Sequence, residues 1–172
     1  MVRTMIIIRE IQEQDASQFL ALSKQLDEES KFMLLEPGER LTTPDGQKKL
    51  IQQMLTLSNR TIFIAEDRGH IVGYIAGLGG SYRRNRHKAD VVIGILNAYC
   101  GQGLGTRLIL ALEEWARSCN LHRLELTVMA HNERAIGLYR KMGFVEEGIS
   151  VDSLWVDSRY VHELNMAKIL EP

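Results

Sequence analysis

The stretch Val91-Val92-Ile93-Gly94-Ile95-Leu96-Asn97-Ala98-Tyr99-Cys100-Gly101-Gln102-Gly103-Leu104-Gly105-Thr106 decides how the rest of the chain is read. A β-branched run ends in a turn punctuated by glycines, and a helix opens behind it. In that helix Leu104, Leu108, Ala111, Leu112, Trp115 and Cys119 fall on one face. Glycines let backbone N–H groups approach a ligand closely, and a helix start adds orphan donors and partial positive charge. Together they form a cradle suited to a pyrophosphate. A plain Gly-rich turn accounts for the same residues, so both readings stay open at this point.

Downstream, Leu121–Val128 alternates as a half-buried strand does. Asn132–Lys141 then reads as a short helix, with Asn132 as its cap and Gly143 at the C′ position. Tyr139 follows Asn132 by two helical turns and shares its side. Upstream, Thr61–Ala65 and Ile71–Ala76 flank Glu66–His70 as a hairpin, and Ala89–Ile95 is a further strand. Ile6–Arg9 is a first strand. A helix capped by Asp15 carries Phe19, Leu22 and Leu26. Lys31–Leu41 reads as a loop with exposed apolar side chains. Thr43-Pro44-Asp45 opens a second helix, with Leu50, Ile51, Met54 and Leu55 as its buried stripe. Tyr160–Ile169 reads as a final strand or hairpin arm. The order β-α-α-β-β-β-α-β-α-β-β, without repeat or break in composition, predicts an α+β protein of mixed layers and a single domain over 1–172.

The 172 residues hold 21 Lys+Arg against 22 Asp+Glu, a net charge of −1, with 45% apolar residues. That balance excludes bulk binding to nucleic acid or to an anionic membrane, which draws on excess Lys and Arg. Cys100 and Cys119 suggest neither a disulfide framework nor a C-x-x-C metal site. The apolar run Met5–Ile8 is too short for a signal core or a membrane span, which leaves a reducing cytoplasm as the expected location.

Gln102-Gly103-Leu104-Gly105 at a helix start, then a strand, then Asn132, Ala135, Leu138, Tyr139, Gly143 and Phe144 in the spacing Asn-x-x-Ala-x-x-Leu-Tyr-x-x-x-Gly-Phe, resembles the GCN5-related N-acetyltransferase (GNAT) superfamily. The resemblance implies a central mixed, mostly antiparallel sheet flanked by helices. It implies acetyl-CoA as acyl donor and direct attack on the thioester by a primary amine, in a ternary complex with neither metal nor covalent intermediate. By position it implies that Ile93, Gly94 and Ile95 pair with the pantetheine arm. Gly101, Gln102, Gly103, Leu104, Gly105 and Thr106 would hold the pyrophosphate, Asn132 would contact the cofactor arm, and Tyr139 would protonate the departing thiolate. The acceptor is an amine-bearing small molecule or peptide, for which Phe32–Leu35 with Glu28, Glu29 and Glu36 form the implied site.

Some residues depart from the pattern. Cys100 stands where many relatives have Arg or Gln. Thr127 stands where some N-terminal protein acetyltransferases of the family have a glutamate base. Asp90 is the next candidate base, although a solvated strand-end carboxylate fits equally, and His131 and His87 are further options. Arg83, Arg84, Arg86, His87 and Lys88 form either a solvated loop or an attractor for cofactor phosphates or an acidic substrate. Val161, Leu164, Met166 and Ile169 suggest pairing across a two-fold, hence a homodimer. Two alternatives stand beside the transferase reading. One is a non-catalytic acyl-CoA-binding module on the same fold. The other is a dinucleotide-binding oxidoreductase, supported by strand–Gly-x-Gly–helix and by Glu125 about 20 residues on. Against the latter, the third glycine falls early at Gly105, Thr106 follows it, and no repeated βαβ units precede residue 90.

Overall fold

The computed structural model describes residues 5–171, so Met1–Thr4 and Pro172 of the expected domain lie outside the described residues. The elements are β1 (Ile7–Glu10), α1 (Ala16–Glu29), α2 (Pro44–Leu55), β2 (Arg60–Asp67), β3 (His70–Gly79), β4 (Lys88–Ile95), α3 (Leu104–Ser118), β5 (Arg123–Met129), α4 (Glu133–Lys141), β6 (Val145–Val156) and β7 (Arg159–Ile169), in the order read from the sequence. They form a seven-stranded sheet, β1-β2-β3-β4-β5-β7-β6. Every pairing is antiparallel except β4 with β5. The fold is therefore the expected α+β type. A doubly wound parallel sheet, which the oxidoreductase alternative needs, is absent from the described residues.

Strand alternation places the helices. A Cβ built at Gly94 would meet Leu26 of α1, whereas one at Gly77 would meet Leu112 and Trp115 of α3. Helices α1 and α3 thus cover opposite faces, each contributing to one core in which Leu26, Ile64, Ile75, Leu108, Leu112 and Leu124 are fully buried. The β2–β3 turn uses Arg68 and Gly69, both at positive φ, as a tight turn of matching twist requires.

Three local expectations are corrected. Asp15 precedes α1 but makes no side-chain cap. Its carboxylate accepts from Gln12 N at 2.8 Å and from Arg9 at 2.8 and 2.9 Å, tying β1 to the helix start. In α2 the Thr43 hydroxyl caps Gly46 N, but Leu50 is 50% exposed; Ile51 is buried, and Met54 and Leu55 pack half-buried against the core. Strand β7 lies inside the sheet between β5 and β6, with Val161, Leu164 and Met166 buried. Those residues pack the core, and the free edges belong to β1 and β6.

Candidate active site

Parallel pairing between β4 and β5 lasts for only three residue pairs, Lys88↔Arg123, Ala89↔Leu124 and Asp90↔Glu125. Beyond them β4 continues against β3, and β5 continues against β7. Ile93, Gly94 and Ile95 therefore have a strand on one side, at Ile75, Tyr74 and Gly73, and none on the other. Main-chain groups on that open edge need partners from outside the sheet.

At the end of this edge the glycine turn leads into α3. Gly101 and Gly103 have φ of +73° and +80°, a left-handed geometry that penalises a Cβ, and the space where a Cβ would stand is empty. Gly103 occupies the N-cap of α3 and supplies no capping side chain. The first intrahelical bond in the turn runs from Arg107 N to Gly103 O, so the N–H groups of Leu104, Gly105 and Thr106 lie at the orphan-donor end of the helix. Gly105 also serves packing, since a Cβ there would fall 2.6 Å from Leu138 of α4. Gln102 donates to Ala98 O at 2.8 Å and braces the turn. The half-buried Cys100 thiol turns back toward the carbonyls of Ile95 and Leu96, at 3.7 and 3.6 Å.

Helix α4 presents the second group. The Asn132 side-chain oxygen accepts from Ala135 N at 3.3 Å, which leaves its NH2 for another partner. Tyr139 is buried against Phe144, ring centroids 5.9 Å apart, and burial pushes its phenol up to about 12. Tyr74 comes next among the causes of that rise. This second phenol, on β3, is also pushed up to about 12 by burial and feels both Arg40 and Asp27. Its ring lies across the Cα of Gly94, where a Cβ would stand 2.8 Å from Tyr74 Cε1.

Asp90 is exposed at the last rung of β4–β5, on the same side of the strand as Val92 and Gly94. Partial loss of hydration, then the charge of Glu125, raises its carboxyl above 3.8. Glu125 itself is held below the usual carboxylate range by Lys88 and Arg123, both of which bridge it, with Arg123 also bridging Glu147. A groove of about 330 Å³ joins Asp90, Val92, Glu125, Thr127, Glu147 and Asn165. His131 is exposed and tilts against Phe32 at 5.2 Å, and His87 sits in the β3–β4 loop. The cluster Arg83–Lys88 enters β4 at Lys88, whereas the glycine turn follows Ile95, roughly 23 Å along the strand. The loop is thus remote from the phosphate cradle, and its Lys88 is committed to Glu125.

A second cavity, of about 260 Å³, opens between the α1–α2 loop and the β6–β7 hairpin. Glu28, Met33, Leu34, Leu35 and Glu36 line it as expected. Phe32 stacks on His131 instead, and Glu29 accepts from Asn97 N at 2.6 Å. Residues not foreseen complete it: Met129, Leu154, Trp155, and Asp27 clamped by Arg40 at 2.6 and 3.0 Å. Nothing local in the sequence signals that β6 meets the α1–α2 loop. Tyr99, whose hydroxyl donates to Asp67 at 2.8 Å, is a further unforeseen anchor of the glycine turn. Among the described residues no group of three or more His, Cys, Asp or Glu is placed to hold a metal ion. Among the described residues no helix is long and apolar enough to cross a membrane.

Comparison with known proteins gives concordant matches. The family model described as Acetyltransferase (GNAT) family matches residues 24–144. The spermidine N(1)-acetyltransferase of Escherichia coli (strain K12) is 30% identical over 105 residues, 60% of this chain and 55% of that protein. The chain spans about half the length of the curated relatives it matches. The crystal structure of a GNAT-family acetyltransferase from Streptococcus pneumoniae superposes with a TM-score of 0.93 at 28% identity, covering 97% of this chain and 100% of that one. YncA from Salmonella typhimurium, solved with its cofactor acetyl-CoA, shares the fold with a TM-score of 0.86 at 18% identity, over 96% and 94% of the two chains.

Proposed function

Because the chain belongs to the GNAT family of acetyltransferases, we propose that residues 1–172 act as one such domain and move an acetyl group from acetyl-CoA to a primary amine. The amine attacks the thioester directly in a ternary complex. The observation that carries this reading is the open edge at Ile93–Ile95 running into a helix entrance without a side-chain cap. An extended amide-bearing arm fits the edge as a strand would, and a diphosphate fits the donors of Gly101–Thr106. Asn132, at the entrance of α4, keeps an amide NH2 to give to the arm.

The attacking nitrogen starts as an ammonium with a pKa of about 10.4 and reacts only as the free amine. Asp90 serves as the base: its raised carboxyl favours accepting a proton, while Glu125 is spent on its two cations. It lies three residues, roughly 10 Å, along the strand from Ile93, so the proton travels through water. The developing oxyanion meets main-chain N–H groups near Ile95. Tyr139 completes the cycle as acid. Burial keeps its phenol protonated.

Two measurements test the reading. Acetyl-CoA, but not NADH, raises Tm through linkage to the native state, and CoA thiol is released when an amine is supplied. Tyr139→Phe lowers kcat by about 10²–10⁴-fold while acetyl-CoA still raises Tm. Parental turnover in that variant refutes the acid. A Tm shift with no thiol release from any amine makes the chain a binding module.

A further inference from the structure

We infer that the amine taken at this site carries a single positive charge on an apolar, aliphatic or aromatic, body. This inference rests on the transferase reading and concerns the cavity between the α1–α2 loop and the β6–β7 hairpin. That cavity adjoins the open edge through Asp27 in its wall, whose chain neighbour Leu26 packs over Gly94 beside the Tyr74 ring.

The charges of the wall can be sorted. Asp27 is neutralised by Arg40 in a bidentate pair, and Asp157 faces Lys31 at 3.3 Å. Glu28 and Glu36 remain as carboxylates outside the ion pairs, both exposed at the rim. The remainder of the lining is mostly apolar, with Met33, Leu34 and Leu35 on one wall and Leu154 and Trp155 on the other, and Met129 at the end of β5. Leu34 is 76% and Trp155 60% exposed. Trp155 stands edge-on to Tyr160 at 4.8 Å, and apolar surface left in water on the cavity lining gains free energy when an apolar body covers it, about 25 cal/mol for each Å². Two rim carboxylates suit one ammonium. A chain of several ammonium groups would keep water on the Met, Leu and Trp surface and forgo the gain from covering it. The wall therefore favours an amine unlike the polyamine named for the spermidine acetyltransferase relative.

The test uses the full chain with saturating acetyl-CoA and compares kcat/KM for phenethylamine, ethanolamine and spermidine by CoA release. Phenethylamine exceeds both others by about tenfold or more, a difference of about 1.4 kcal/mol. Trp155→Ala, and separately Leu34→Ser on the opposite wall, shrink the phenethylamine-to-ethanolamine ratio by about tenfold. Phenethylamine also changes tryptophan emission saturably, and the change is lost in Trp155→Phe, where only Trp115 remains. Spermidine equal to or better than phenethylamine, a ratio unmoved by both substitutions, or an emission unchanged in the parent overturns the inference. A saturable emission change without thiol release from any amine leaves the cavity assignment standing and refutes acetyl transfer instead.

Discussion

Gly94→Ala probes the closest approach in the site. An added Cβ would lie 2.7 Å from Leu26 Cδ1 and 2.8 Å from Tyr74 Cε1, where apolar carbons settle about 3.5–4.0 Å apart. The shortfall is about 1 Å on two sides. Neither neighbour has room to yield: Leu26 is 1% and Tyr74 8% exposed, and the Tyr74 ring stands edge-on to Phe19 at 5.1 Å. Overpacking of this kind costs about 1–3 kcal/mol. For a chain of this size each kcal/mol moves Tm by about 2–4 °C, so the variant melts about 2–12 °C below the parent. Leu26→Val withdraws one of the two obstructing atoms at a cost of about 1 kcal/mol on its own. In that background the alanine then costs about 1 kcal/mol less, which a double-mutant cycle by urea unfolding reads as coupling. An unchanged Tm, or strict additivity in the cycle, refutes the claim that Gly94 exists to let the Tyr74 ring cross the strand.

Two further outcomes are expected. Asp90 binds its proton more tightly in the folded chain than in the unfolded one, so its ionised form costs stability above the ordinary value of 3.8. Asp90→Asn should thus raise stability slightly at pH 7, by under about 1 kcal/mol for this exposed group. That gain fades as pH falls through the raised folded value and is gone below the unfolded one, and the variant loses the acidic limb of the kcat/KM profile; an unchanged profile removes Asp90 as base. Lys168 donates to the buried Glu113 at 2.6 Å and to Met142 O at 2.7 Å, with Arg117 the other cation near Glu113 at 3.5 Å. Lys168→Met should cost about 2–4 kcal/mol by chemical denaturation, somewhat less than a fully orphaned carboxylate, and Glu113→Leu in the same chain should restore much of it.

Periodicity made the order of elements legible, because each helix and most strands bury one face and glycines mark where faces end. The glycine turn and the Asn132 cap were readable for the same reason: each acts through its own local backbone. What escaped were pairings between distant segments. Arg40 finds Asp27, and Tyr74 finds Gly94, through packing that no local spacing encodes. Strand β6 was hard to place because its ladder is broken by bulges near Gly148 and 151–153. Its turn is made by Asp157 and Ser158, both at positive φ without a glycine to announce it. Asp15 looked like a cap since its type and place suit one, yet the guanidinium of Arg9 offered a stronger partner.

The three rungs joining β4 to β5 make the sheet a wedge whose hinge lies at residues 88–90 and 123–125. On the α3 side the wedge angle is braced by Lys168 of β7 reaching Glu113. Anything threaded between the blades is gripped by backbone on a rigid jaw, and it also splints the jaw. Amide hydrogens at the ends of β4 and β5 should accordingly exchange most slowly when the slot is filled, so that the protein stiffens along the very line where its own ladder stops.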